Sequence, residues 1–498
     1  MTMKRLLLVL ILLHGCLLTP LLAVDIRVGD QASFDRLDTD LKAALAASPE
    51  RIDVYLAPGF YYYRDKHLYL KDLQAEKTLI ALHGEGVTLY PRMGREAGFS
   101  PLSSYYTRRD SRPELIRRKD PVKMAGFLVK VLDREKKICR LKVDEELPPE
   151  AAKDGYIYLT EWYRGKTYKI LKTEGKMVYF RADDLYPIRF LYNVNLDFTF
   201  SLQFPRYRLI HCGLSEPEDQ GFRAQATTFL FLEHTRLAGL TCIGISFIGN
   251  RYDESKPGVG LVTYDAVSAP GAFSGCRFEG IRSDCFAVSG TSGFGVEDCL
   301  FTGNYRHCLK AEYDCVGIRF RHNTVTDSGL CGDNVYAVFC NGKDFLIQDN
   351  KISDYGYGGI YTGLYYATEK RFCVSGLVTG NELFQSPAYF DAAPDELLMD
   401  SGAIYIATQN DDVRIEDNYI HDINGPTYNR GIFADDGTSN VVIRRNRIEN
   451  VKNHFALDID PRSAWKMLRR KERKVNYVHE NVVVEDNEVS GRVRVPKK

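Results

Sequence analysis

Along most of the chain, apolar and polar residues alternate in short runs of period two, a pattern of strands rather than helices. From about residue 247 the runs repeat as one unit: alternating apolar residues, then Asn, one further residue, and an apolar position. The unit appears as Ile318-Arg-Phe-Arg-His-Asn323-Thr-Val325, Leu346-Ile-Gln-Asp-Asn350-Lys-Ile352 and Val378-Thr-Gly-Asn381-Glu-Leu383. It continues as Ile415-Glu-Asp-Asn418-Tyr-Ile420, Ile443-Arg-Arg-Asn446-Arg-Ile448 and Val484-Glu-Asp-Asn487-Glu-Val489. Phe247, Phe278 and Phe301 extend the series upstream, so the anchors stand at 247, 278, 301, 325, 352, 383, 420, 448 and 489. Their steps are 31, 23, 24, 27, 31, 37, 28 and 41 residues. Steps of 23 or 24 with period-two strands do not fit helical repeats, whose units are longer. They fit a coil of parallel strands, each rung about 4.8 Å above the last. The predicted fold is all-β, a right-handed parallel β-helix. Asn at each corner is expected to adopt the left-handed conformation and to bond to the next rung's Asn.

The remaining segments fit around this coil. Residues 34–47 are apolar at Phe34, Leu37, Leu41, Ala44 and Leu45, which predicts an amphipathic helix capping the coil's open end. Residues 52–63 and 77–90 read as first strands. The Asn repeat is absent from residues 91–221, where short alternating stretches predict an inserted β-rich subdomain. The expected organisation is therefore a leader at 1–23, cap and first rungs at 24–90, the insertion at 91–221, and the coil at 222–498.

Parallel strands in register place equivalent side chains in columns along the coil. With Phe286, Leu309, Val335, Ile360, Ile404, Ile432 and Leu457 taken as inward, the next residue faces out. That column reads Ala287, Lys310, Tyr336, Tyr361, Tyr405, Phe433 and Asp458. A second outward column reads Ser289, Glu312, Val338, Gly363, Ala407, Asp435 and Asp460. Consecutive aromatic rings ending in acids are expected to form a carbohydrate platform, since flat sugar faces stack on rings and hydroxyls bond carboxylates. Asp435 and Asp460 share a column, with Asp458 and Asp436 beside them. Carboxylates this close repel, which raises one pKa and permits an acid and a base or nucleophile at one site. The same acids could instead ligate Ca²⁺, or Asp436-Gly437-Thr438 could be simply a turn. His421, after Asn418 in its turn, is a further candidate for a sugar hydroxyl.

Composition narrows the classes. Sixty-six basic residues balance 66 acidic ones, which excludes a broadly basic nucleic-acid binder. Lys4 and Arg5, the apolar run from Leu6 to Leu13, and Leu21-Leu22-Ala23 read as an export signal. The protein is thus expected in the periplasm or outside the cell, as a monomer without a membrane span. Lipid anchoring through Cys16, in Leu13-His14-Gly15-Cys16, is the alternative. The steps from Cys276 to Cys299 and from Cys285 to Cys308 are both 23 residues, so these cysteines are read as small core residues in repeat register. No CxxC pair points to zinc.

The segments Asp400-Ser-Gly-Ala-Ile-Tyr405, Asn418-Tyr-Ile-His-Asp422 and Gly431-Ile-Phe-Ala-Asp435-Asp436-Gly-Thr-Ser-Asn440 resemble the signature of exported β-helix glycoside hydrolases. The resemblance is to family 141, of the fucosidase/xylanase type, and more distantly to the β-helix β-xylosidases. It is specific over residues 400–450 and diffuse along the remaining coil. It implies hydrolysis of a plant or host polysaccharide or oligosaccharide by two acids, Asp400 with Asp435 or Asp436, without a cofactor. Register instead pairs Asp435 with Asp460 or Asp458. A calcium-dependent polysaccharide lyase, with Lys310 beside Glu312 as its base, and a noncatalytic glycan-binding protein are the alternatives.

Overall fold

The structure is a computed structural model that describes residues 23–91, 130–133, 138–142, 156–161, 164–175, 177–181, 200–203, 228–249, 260–281, 283–304, 306–312, 314–329, 335–355, 357–364, 373–386, 401–407, 410–423, 429–435, 438–452, 455–459 and 479–495. The leader with Cys16, and the candidate acids Asp400, Asp436 and Asp460, lie outside the described residues.

The coil is built as the spacing predicts. One rung runs through Asp412–Glu416, turns at Asn418, continues as Tyr419–His421, and reaches a third face at Asn429–Ala434. The next rung repeats this as Ser439–Arg444, Arg447–Glu449 and Phe455–Ile459, with every strand parallel to its predecessor. The nine anchors pair one after another: Phe247 with Phe278, then Phe301, Val325, Ile352, Leu383, Ile420, Ile448 and Val489. Those from Phe247 to Ile448 are essentially inaccessible to solvent, and Phe247, Phe278 and Phe301 stack with centroids 5.1 and 4.8 Å apart. The third face forms an eleven-stranded sheet from Leu68–Lys71 to Arg492–Arg494, and it carries the outward columns.

Register is fixed at the Asn corner. Asn323 Nδ2 donates to Asn350 Oδ1 at 3.0 Å, Asn350 to Asn381 at 2.8 Å, and Asn381 to Asn418 at 2.9 Å. The ladder then runs through Asn446 to Asn487, each step 2.9 Å. Each Oδ1 also accepts the backbone N–H of the preceding Asn, so one carboxamide ties two rungs by two bonds. The left-handed residue is not the Asn itself, as expected from the sequence, but the residue before it: His322, Asp349, Gly380, Asp417, Arg445 and Asp486 have φ between 52° and 66°. Placing the strain one residue earlier leaves the Asn side chain pointing into the coil, where its bonds are shielded from water.

The cysteines occupy positions this scheme reserves for small side chains. Cys299 stands one rung before Asn323 in the ladder, its N–H donating to Asn323 Oδ1 at 2.9 Å. Cys285 and Cys308 share a column with Ala337, Gly359, Ala403, Gly431 and Ala456, the residues just before the inward column. Cys242, Cys276, Cys285, Cys299, Cys308, Cys315 and Cys340 are buried and unbridged, and Cys373 is exposed and unbridged.

Helix α1 covers Gln31–Ala46, with Asp30 as N-cap accepting the Ser33 N–H at 2.7 Å. Phe34, Leu37, Leu41 and Leu45 are buried, and Phe34 packs on Tyr61 and Phe229 at the first rungs. Between Lys130 and Gln203 the described strands form a separate six-stranded antiparallel sheet. Among the described residues no helix is long and apolar enough to cross a membrane.

Replacing Asn381 with Ala removes its bonds to Asn418 and to the Ile347 carbonyl and orphans the Asn350 N–H. A loss of about 1–3 kcal/mol in unfolding free energy is expected, measured by urea titration; an unchanged midpoint would show the ladder to be dispensable.

Candidate functional site

On the eleven-stranded sheet the inward column is Phe286, Leu309, Val338, Ile360, Ile404, Ile432 and Leu457. Val338, not Val335, takes the third place, so the outward column reads Ala287, Lys310, Phe339, Tyr361, Tyr405, Phe433 and Asp458. The expectation that Tyr336 belongs to this column is corrected by three residues. Alternation could not decide, because Val335 and Val338 are both apolar. Space decides instead: Tyr336 lies opposite Gly358, where a Cβ would come within 2.5 Å of its ring. The second outward column becomes Ser289, Glu312, Asn341, Gly363, Ala407 and Asp435, with Asn341 replacing Val338. Equivalent bonds mark it, since the N–H groups of Asn341, Ala407 and Asp435 donate to the Ala311, Thr362 and Ile406 carbonyls.

The rings do stack from rung to rung. Phe339 lies on Tyr361 with centroids 4.3 Å apart and planes 3° from parallel, and Tyr361 lies on Tyr405 at 5.4 Å and 12°. Phe433 meets Tyr405 edge-on at 5.3 Å, while Tyr336 packs against Tyr361, Tyr405 and, edge-on, Tyr357. They are not an open platform, however. Tyr361 and Tyr405 are each 4% exposed and Phe433 and Tyr336 not at all, so these rings form an outer apolar cluster distinct from the coil's core. Phe339 is half-buried and is the accessible end of the stack.

The candidate aspartates Asp435 and Asp458 have different partners. Asp435 is buried, and its Oδ2 accepts the Tyr405 hydroxyl at 2.6 Å. Burial, with the Asp435 charge adding to it, holds the Tyr405 phenol well above its usual pKa, and Tyr361 is shifted the same way by burial, Asp435 and Glu312. Both phenols therefore remain protonated donors. Asp458, expected to contact sugar, is fully buried between two guanidinium groups. Arg430 Nε donates to it at 2.6 Å, and Arg494 makes a two-point contact with both bonds at 2.6 Å. The Arg430 guanidinium also lies 3.7 Å from the Phe433 ring centroid. This neutralised, sealed carboxylate braces the last rungs and has no face for a ligand. Arg430 was not foreseen; its signal is a basic residue inside an apolar strand, one rung from an acid.

Upstream, Lys310 Nζ pairs with Glu312 at 2.7 Å, and both side chains are partly exposed. Burial would lower the Lys310 pKa, but Glu312 and Asp284 outweigh it and hold the ammonium protonated. Asp284, itself buried, accepts Arg306 Nε at 3.1 Å. His307 Nδ1 lies 2.8 Å from the Tyr336 carbonyl, and burial pushes the imidazole down to about 3. His421 belongs to a different face. It lies in Tyr419–His421, between Asp422 at 2.8 Å and Glu382 at 3.2 Å, and stacks on Phe384 and Tyr419. The expectation that it lies in a turn is corrected: it ends a strand, just after the Asn418 corner, on a face different from that of Asp435. Among the described residues no three His, Cys, Asp or Glu side chains converge as a metal site requires.

A family model described as "Right handed beta helix region" matches residues 273–492. Comparison with curated protein sequences gives no significant match. Among solved structures, one titled "Glycoside hydrolase" is similar over 93% of this chain and 96% of its own, at 13% identity and a TM-score of 0.50. A complex of XylC with xylose is similar over 93% and 86%, at 9% identity and a TM-score of 0.35. The Gp54 tailspike of Acinetobacter baumannii bacteriophage AP22, in complex with capsular saccharide, is similar over 90% and 76%, at 9% identity and a TM-score of 0.26. The family model and the parallel register make the coil a right-handed parallel β-helix.

Two measurements check the electrostatic assignments. Asp458→Ala leaves Arg430 buried without its carboxylate and is expected to cost about 3–5 kcal/mol in unfolding free energy; a loss under about 1 kcal/mol would show the pairs to be peripheral. His307 is neutral in the fold, whereas its unfolded pKa is near 6.5. The unfolded chain therefore binds the extra proton, so this contribution to stability is whole above pH 6.5 and shrinks as pH falls towards 3. About 2 kcal/mol should be lost between pH 6.5 and 5. His307→Gln should flatten that part of the stability–pH curve, and an unaltered slope would contradict the assignment.

Proposed function

We propose that the protein is an exported glycoside hydrolase acting on a polysaccharide or oligosaccharide, with Asp435 as a reacting carboxylate. The observation that carries this reading is the Tyr405 hydroxyl bond to Asp435 on the outer side of the sheet, at the end of the ring stack. A donor bonded to a carboxylate favours its ionised form. Asp435 thus suits the anionic role, either nucleophile or general base, and the second acid must be the proton donor. Glu312 shares the Asp435 column but stands four rungs away, about 19 Å at ~4.8 Å per rung, beyond the ~9.5 Å limit for a hydrolytic pair. The partner is therefore sought among Asp400, as the resemblance to family 141 implies, and Asp436 or Asp460.

The lyase reading is less well supported, because a lyase base must lose its proton and Lys310 is held protonated by Glu312 and Asp284. In a hydrolase, water adds across the glycosidic bond, so a new reducing end appears without an unsaturated product.

Purified protein incubated with a panel of plant and host glycans is expected to release reducing sugar without new ultraviolet absorbance, and chelation is expected to leave the rate unchanged. Asp435→Asn should keep the fold, judged by circular dichroism, and abolish release. Tyr405→Phe should lower kcat about 10- to 100-fold, the worth of one hydrogen bond to a charged group. Wild-type turnover by Asp435→Asn would refute the assignment, and an absorbing product would mark a lyase.

A further inference from the structure

We propose that the upstream end of the same sheet is a second sugar position, built from Phe339, Lys310, Glu312 and Asn341, which takes a neutral sugar ring remote from Asp435. This rests on the reading of the sheet as glycan-binding and adds the length and charge of the ligand.

Three features converge there. Phe339 is the half-buried end of an otherwise buried ring stack, so it alone among those rings offers a surface to a flat sugar face. Lys310 and Glu312, paired at 2.7 Å and partly exposed, set a donor beside an acceptor, with Lys310 Nζ 5.8 Å from the Phe339 centroid. A sugar hydroxyl is donor and acceptor at once and can bridge such a pair. Asn341 follows Glu312 in the column, is 7% exposed, and its Oδ1 has no hydrogen-bond partner among the described residues. A buried amide oxygen left unpaired is costly, and a hydroxyl donor would satisfy it.

Charge selects against acidic sugars. Lys310 is paired with Glu312, and Arg306 with Asp284. Along the column of Glu312 and Asp435, register also places Asp265 and Glu233 upstream. A uronate laid along this column would meet carboxylates, whereas a neutral ring meets hydrogen-bonding groups. The four rungs between Glu312 and Asp435 mean that one ligand touching both is an oligosaccharide, not a single sugar.

The test titrates neutral xylo-, gluco-, manno- and galacto-oligosaccharides of two and six units, and oligogalacturonides of the same lengths, into the Asp435→Asn protein by calorimetry. A neutral six-unit ligand is expected to bind, and Phe339→Ala or Glu312→Gln, each added to that background, to weaken it about tenfold. Absence of neutral binding, indifference of the six-unit ligand to both substitutions, or a response confined to oligogalacturonides would overturn the proposal. Weakened binding in the variants with no sugar release by the wild type would instead sink the hydrolase reading and leave this position standing. Glu312→Gln, nearly isosteric, guards against a packing defect in Phe339→Ala.

Discussion

The hydrogen-bonded Asn ladder holds successive rungs in fixed register, and every functional relation in the molecule passes through it. Each carboxamide oxygen accepts two N–H groups from the Asn one rung earlier, and each Nδ2 also donates to a main-chain carbonyl, as Asn350 does to Phe320. A slip by one residue would unpair these buried amides together and turn the inward Ile and Phe positions outward. The left-handed residue before each Asn sets the corner, and the long loops of the chain can vary without disturbing it. Steps as different as 23 and 41 residues therefore still deliver their apolar anchors to one line.

That register turns a one-dimensional list into a surface. On the eleven-stranded sheet it lines up Phe339, Tyr361, Tyr405 and Phe433, and it places Asp435 beside the Tyr405 hydroxyl. One rung later the same sheet carries Asp458, whose chemistry is opposite. Two arginines pair with it inside the protein, whereas Asp435 accepts the Tyr405 hydroxyl. A buried carboxylate between guanidinium groups is a brace. The two residues look alike in the chain and differ only in their neighbours.

Much of this was legible in the residues. The nine anchors, the Asn contacts between rungs, the capping helix with Phe34, Leu37, Leu41 and Leu45 buried, and the cysteines in repeat register all follow from spacing and side-chain type. Other features were not. Tyr336 was assigned to the ring column because Val335 and Val338 satisfy the same alternation, and only the space above Gly358 separates the two registers. The rings were expected to stand open, yet Tyr361 and Tyr405 are buried; period and hydrophobicity report which side of a strand a residue faces, not what covers it. His421 was offered as a contact for a sugar hydroxyl, although the corner puts it on a different face from Asp435.

The sequence by itself determined the coil, its corners and the order of its rungs, because these depend on local repeats in which each residue meets its own equivalent. Tertiary structure alone decided which acid is paired with arginine and which ring remains accessible. Those properties come from partners on other rungs, Arg430, Arg494, Tyr405 and Gly358, and their effect on charge and space depends on distance in three dimensions rather than along the chain.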